Sequence, residues 1–347
     1  MAKQEVQQGG EGGARIDVKH EVAQRLIEAL EQGGAPWQRP WSVQSGQAMR
    51  PINPTTQNGY RGINRVLLAL SGRSSNLWMT YQQAADKCWQ VKKGEKGTMI
   101  VKVVEFSRER EGDVGSSDSN DGVADGREEK FGQASGAALK RYWVFNAEQI
   151  EGAPQIASNP EIAFDPLEKA EAVVEALVEQ TGLIVVHGGS QACYIPSLDE
   201  VRLPPPRAFK SQYDMWATKL HECAHSTMHA KRLNRTEAYA KRWGDEAYAV
   251  EELTAEISSA ILAGETGVPM SEDQAHIQSH ASYLNSWIKA IHNDPMAIFT
   301  AAKNADRICQ YMLGLERKMA ADLKPMSPDH AEWVADYERA ELIHWKR

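Results

Sequence analysis

Apolar positions recur at helical spacing through residues 16–32, where Val18, Val22, Leu26, Ile27 and Leu30 share one face and Gly33-Gly34 ends the run. Residues 60–70 (YRGINRVLLAL) repeat that spacing, and Thr80 supplies an N-cap for a short helix over TYQQAADKC. The period then changes to two. WQVKKGEKGTMIVKVVEF alternates about KKGEKG and predicts a hairpin, and KRYWVFN reads as a further strand. Beyond it the pattern predicts a helix over 166–181 and a short strand in LIVVHGG. ACYIPSLDEVRLP predicts a hairpin turning at Pro196–Asp199. Helices are expected over 211–230, 245–264, 271–292 and 294–322, with no internal repeat.

Residues 107–139 are rich in Gly, Ser, Asp and Glu and nearly free of large apolar side chains. Such a segment cannot bury enough surface to offset its ordering entropy, so a disordered insertion is expected. KRYWVFN should pair with the strand before the insertion, which would place the insertion inside one domain. A boundary fits better at EGAPQIASNPEIAF, with its small and Pro residues. A chain of 347 residues suits two domains. The expected class is α+β: a flexible tail (1–15), a mixed α/β domain (16–152), a linker (153–163), a mostly helical domain with a small sheet (164–322) and a tail or helix (323–347).

Charge and composition sharpen this picture. Residues 15–106 carry 13 Lys/Arg against 7 Asp/Glu, a net of +6, whereas 107–139 carry −4 and 140–347 carry −9. A basic front half on an acidic chain points to a polyanion partner for that half, or to a solvated surface with accidental bias. No run approaches ~20 apolar residues, and MAKQEVQQGGEGGAR lacks an apolar signal core, so neither a membrane partner nor secretion is expected. Cys88, Cys193, Cys223 and Cys309 are scattered without a CxxC pair, as suits reduced thiols in a cytoplasmic protein.

Two constellations carry chemistry. In the first, His221 and His225 lie four apart on a predicted helix, so both imidazoles can reach one Zn²⁺. Glu222 beside them is placed as general base for a zinc-activated water. Trp216, Leu220, Ala224 and Met228 give the same helix a buried face. A catalytic zinc needs a third protein ligand. In EAYAVEELTAEISSAIL, Glu252 is the candidate ligand, Glu256 one turn on is placed to bond a ligand histidine, and Glu251 reads as a solvated position. His229 extends the series but lies ~12 Å from His221 along a straight helix, too far for the same ion. His276 and His280 read as an ordinary polar face. DEVRLP reads either as an edge strand for a peptide substrate or as a structural strand. One zinc per chain and a protein substrate follow from this reading.

The second constellation lies in the basic half. Trp37, Trp41, Tyr60, Trp78, Tyr81 and Trp89 fall among Arg39, Arg50, Arg61, Arg65, Arg73, Lys92, Lys93 and Lys96. Aromatic faces that stack bases, interleaved with cations that meet phosphates, suit a single-strand binder; the alternative places the tryptophans in the core. The candidate contacts are Trp37, Arg39, Trp41, Tyr60, Arg61, Asn64, Trp78, Lys92, Lys93 and Lys96.

These blocks also carry a resemblance. APWQRPW, NGYRGIN, LWMTYQQA, VKKGEKGT and YWVFNAEQIEGAP resemble the N-terminal single-stranded-DNA-binding domain of ArdC-type antirestriction proteins, a domain that plasmid conjugative primases also carry. ACYIPSLDEVRLP, LHECAH, RLNR, EAYAVEELTAEISSAIL and SHASYLNSWIKAIHNDPMAIFTAA are similar to the zincin-like domain of the same family. The resemblance spans roughly residues 16–320. It implies an antirestriction protein of a mobile element that binds incoming single-stranded DNA and shields it from restriction. It also implies a thermolysin-like metal site at His221, Glu222 and His225, with the third ligand in EELTAE, where Glu252 and Glu256 match the spaced carboxylates. The long insertion and Cys223 inside the motif depart from the pattern, and primase activity is not implied. Two alternatives stay open: a metallopeptidase whose front domain binds protein, and a DNA-binding protein with a purely structural zinc.

Overall fold

The first helical stripe forms α1 (Val18–Glu31), capped by the Asp17 side chain and burying Val22, Ala23, Leu26, Ile27 and Leu30. The structure is a computed structural model that describes residues 17–32, 50–107, 135–154, 166–235, 246–268 and 281–322. The N-terminal tail, most of the expected insertion and linker, the His276/His280 pair and the C-terminal segment lie outside the described residues. The chain enters α2 (Ile63–Leu70) through Gly62 at φ +56°, a conformation that favours glycine. β1 (Trp78–Met79) leads into α3 (Tyr81–Asp86), where Thr80 and Gln83 form a reciprocal capping box.

β3 (Thr98–Ser107) and β4 (Ser135–Asn146) pair antiparallel from Thr98↔Val144 to Ser107↔Ser135, so the strands flanking the insertion do meet. β1 joins the other edge of β4, giving the order β1-β4-β3. The hairpin expected about KKGEKG does not form. β2 (Gln90–Val91) pairs instead with β5 (Ile150–Glu151). Two features account for this. β3 satisfies its backbone along β4. The Gln149 amide meanwhile bonds the Glu95 carboxylate and the Lys96 carbonyl, and the Lys92 amide donates to the Gln149 carbonyl, so the lysine-rich turn is tied to the chain after β4.

The rest of the chain builds α4 (Pro166–Thr181), β6 (Ile184–His187), β7 (Cys193–Ile195) and β8 (Glu200–Leu203). Helices α5 (Gln212–Ser226), α6 (Glu246–Thr266), α7 (Ala281–Asn293) and α8 (Ala297–Asp322) follow. The turn at Pro196–Asp199 forms as expected, but the sheet order is β6-β8-β7. β8 therefore lies between two strands and cannot be the edge of DEVRLP along which a peptide would add. Val201 and Leu203 are fully buried, which draws β8 to the middle of the sheet over α4 and α5.

Packing joins what the sequence divides. One core combines Val22, Leu26, Val66 and Met99 from the front half with Leu253, Trp287 and Ile298 from the back half. A second packs Val173, Leu177 and Leu203 against Leu220, Ala255 and Ile308. Helix α6 contributes to both. Across the junction Arg65 reaches Glu265 at 2.6 Å and Asp306 at 3.6 Å, and the Gly62 amide donates to Asp306. Among the described residues no helix is long and apolar enough to cross a membrane.

Candidate metal centre and nucleic-acid face

Ser211 caps α5 by accepting from the Asp214 amide, and Trp216, Leu220, Cys223, Ala224 and Met228 are buried around it. That packing turns His221 and His225 toward α6. Their Nε2 atoms lie 3.1 Å apart, and the Glu252 carboxylate stands 3.5 Å from each. One donor atom from each of the three residues falls within 4.8 Å of the others. Glu222 is buried beside them.

The outer contacts set the tautomers. His221 Nδ1 lies 3.3 Å from Glu256, and His225 Nδ1 lies 3.2 Å from Glu251. A ring that donates from Nδ1 to a carboxylate presents a lone pair at Nε2, so two lone pairs face each other and the Glu252 carboxylate. Such a cage is unfavourable unless positive charge enters it. The titration behaviour has the same origin. Burial opposes charge on both rings, yet Glu252 and Glu256 raise His221 well above its ordinary value, and Glu251 and Glu252 push His225 up to about 9. Burial works against Glu252 as well, but the two histidines hold it well below the usual carboxylate range. The donor set fits a tetrahedral divalent ion, whose N and O ligands at ~2.0–2.2 Å sit about 3.3 Å from one another.

Glu251 corrects the sequence reading. It is buried rather than solvated, and Arg235 holds it with both terminal guanidinium nitrogens, at 2.5 Å and 3.0 Å. Arg235 Nη2 also donates to the Thr227 hydroxyl at 3.1 Å and the Ala224 carbonyl at 3.2 Å. The loop after α5 delivers it: the Leu233 amide bonds Thr227, the Arg235 amide bonds Met228, and Asn234 adopts φ +48°. Sequence reasoning missed this pair. The signal available was an adjacent Glu-Glu doublet following an RLNR loop. His229 lies beyond the end of α5, its Nδ1 accepting from the Lys231 amide, apart from the three-residue cluster.

In the basic half the structure sorts the candidates. Trp78 is 2% exposed and packs with Leu68 and Val144, so it cannot stack a base. Tyr60 packs against that cluster, donates its hydroxyl to the Trp78 carbonyl and has its ionisation pushed up to about 12 by burial. Asn64 spends its amide on both backbone groups of Val101, a structural clamp. Arg61, Lys92, Lys93 and Lys96 are exposed. Trp37, Arg39 and Trp41 lie outside the described residues. Among the described residues the exposed aromatics are Tyr81 (54%), Trp143 (51%) and Tyr142 (39%). Tyr81 meets Phe145 edge to face at 6.4 Å, and these two rings line a cleft with Lys92 and Lys93. Trp143 sits two residues before Phe145 on the same face of β4, against Gly97. Stacking rings beside lysines therefore exist: Tyr81, Lys92 and Lys93 belong to the constellation read in the sequence, whereas Trp143 and Phe145 were not singled out there.

Comparisons with known proteins bear on both sites. A family model described as the N-terminal domain of anti-restriction factor ArdC matches residues 16–145, and a zincin-like metallopeptidase model matches residues 172–304. The metal-free structure of antirestriction ArdC from the R388 plasmid is 32% identical, with a TM-score of 0.66 over 87% of this chain and 98% of that one. The Mn(II)-bound structure of that protein is 31% identical, with a TM-score of 0.64 over 86% and 98%. DNA primase TraC of Escherichia coli is 40% identical over 308 residues, which is 87% of this chain but 20% of the primase. A second TraC primase of that species is 40% identical over 86% of this chain and 27% of its own length, so this chain spans about a quarter or less of these relatives. An uncharacterized protein, y4eC, of Sinorhizobium fredii is 32% identical over 85% of this chain and 91% of its own.

Proposed function

This chain belongs to the ArdC antirestriction family, and from that premise we propose that it binds single-stranded DNA without sequence preference, shields entering DNA from restriction, and carries a zinc-dependent peptidase site. The observation that carries the peptidase reading is the convergence of His221, His225 and Glu252, with a carboxylate behind each imidazole. These three residues would hold the ion. Zinc supplies Lewis acidity toward a water and a peptide carbonyl. Glu222 takes the proton of the attacking water and returns it to the departing amide nitrogen. Glu251 and Glu256 keep both imidazoles in the tautomer that binds metal. Two nitrogens and one carboxylate oxygen suit zinc better than oxygen-seeking ions, and the Mn(II) in the R388 relative makes metal analysis of this chain the first measurement. Glu222 speaks against a purely structural zinc, since such a site needs no buried carboxylate beside its ligands.

The DNA reading rests on the Tyr81–Phe145 cleft with Trp143 and the surrounding lysines, where stacking and phosphate contact need no base-edge code. Coating alone suffices to shield a strand. In a transfer assay into a restricting host, Glu222→Ala should therefore still protect and should keep its affinity for single strands. A Glu222→Ala protein that retains metal and DNA binding yet fails to protect would make proteolysis part of the mechanism.

The contact of Arg235 with Glu251 yields a further expectation. Arg235→Met, Glu251→Gln and Glu256→Gln should each weaken zinc binding about 10–100-fold, as loss of a group that orients a ligand does. Arg235→Lys should recover part of it. Chelator competition on the folded variants measures the effect. Unchanged affinity in Arg235→Met and Glu251→Gln would reduce the pair to packing.

A further inference from the structure

We infer that the groove between the two halves of the molecule is a second contact for the same strand, so that single-stranded nucleic acid is held by the back half as well as the front. This rests on the DNA reading above and adds a site to it. The groove has a volume of about 1010 Å³. Residues at the start of α1, at the entry to α2 and on the β3–β4 hairpin form one wall, and α8 with Met296 forms the other. Val103, Leu139, Met296 and Phe299 make an apolar floor, and Val103 and Met296 are 58% and 41% exposed. Gathered in one groove, these four side chains form a patch rather than scattered single exposures, and such patches mark binding surfaces.

Cations stand around that floor. Arg61, Lys303 and Arg307 line the groove and are exposed, and none has a carboxylate partner among the described residues. The carboxylates of the lining are already engaged. Asp17 faces Lys19 and His20, and Asp306 faces Arg65 and the Gly62 amide. A flat apolar floor under uncompensated cations complements a chain of bases on a phosphate backbone. The floor and the aromatic face lie on one face of the β3–β4 pair, with Arg141, paired to Glu21, between them. The pairs Val103↔Leu139, Val101↔Arg141 and Met99↔Trp143 put Leu139 and Trp143 on one face of β4. Four steps along the strand separate them, about 13 Å, or a few nucleotides of extended strand. A strand that passes Arg141 can run from Tyr81, Phe145 and Trp143 into the groove against α8, which packs along α6, the helix that carries Glu252.

The test uses the full chain and a fluorescent oligothymidylate. Lys303→Gln with Arg307→Gln removes two exposed charges of α8 that do not line the aromatic cleft, and an unchanged melting temperature confirms that the fold is kept. The double variant is expected to bind about tenfold more weakly, and its salt dependence should fall by about 1.4, near 0.7 for each lost phosphate contact. Wild-type affinity and salt slope in the double variant, with binding lost in Tyr81→Ala/Trp143→Ala, would overturn the groove and leave the DNA reading intact. Failure of the wild-type chain to bind oligothymidylate at all would remove both. A double variant that loses polyglutamate binding but not oligothymidylate binding would assign the groove to an acidic peptide and likewise overturn the proposal.

Discussion

Alanine at His221 or His225 is expected to empty the metal site: dialysed wild-type protein should retain about one zinc per chain, and either variant close to none. Three protein ligands are the minimum for a catalytic zinc, and removing one leaves a site that cannot compete with a chelator. The loss should not be shared by Glu222→Ala, because that carboxylate lies beside the cluster rather than within it. Glu222→Ala should keep its metal and lose any peptidase turnover. The cage also predicts how the empty variants behave. Both rings titrate above their ordinary value, so without metal they hold positive charge that Glu251 and Glu252 stabilise; His225→Ala leaves those buried carboxylates short of a partner and should lower the melting temperature of the metal-free protein. Metal analysis beside thermal melting separates the two effects. Full zinc retention by both histidine variants would end the metal reading of this cluster.

The second large effect lies at the aromatic face. Tyr81→Ala combined with Trp143→Ala should weaken single-strand affinity by roughly two to four orders of magnitude, since each stacked base contributes ~1–3 kcal/mol. Both rings are about half exposed, so their removal should barely change stability. Trp78→Ala should do the reverse. It opens a cavity beside Leu68 and Val144, costing ~3–5 kcal/mol of stability, while the protein that remains folded keeps its affinity. Anisotropy titrations at fixed salt, paired with urea unfolding, distinguish the two outcomes. Undiminished binding by the Tyr81/Trp143 variant would move the DNA contact elsewhere.

What the sequence by itself determined is local. The four-residue spacing of His221 and His225 and the three-residue insert between Glu252 and Glu256 place side chains on one helix face whatever surrounds them. The α1 stripe, the Thr80 cap and the turn at Pro196–Asp199 were legible for the same reason, since period and cap chemistry act within a few residues. Tertiary packing decided the rest. Glu251 reads as solvated until a loop brings Arg235 to it from sixteen residues away. Trp78 and Trp143 both sit on paired strands, and only the seating of α2 against β1 and β4 buries one and leaves the other open. β2 found a partner other than the one its neighbours in sequence suggested, and β8 gained β6 on the edge away from its hairpin partner β7, because strand pairing is settled by which backbone is free and which side chains need burial. The composition break near residues 150–163 pointed to two independent parts. Yet Met99 and Leu253 share a core, and Arg65 is paired with Glu265 and Asp306, because apolar burial and ion pairing depend on proximity in space and not on distance along the chain.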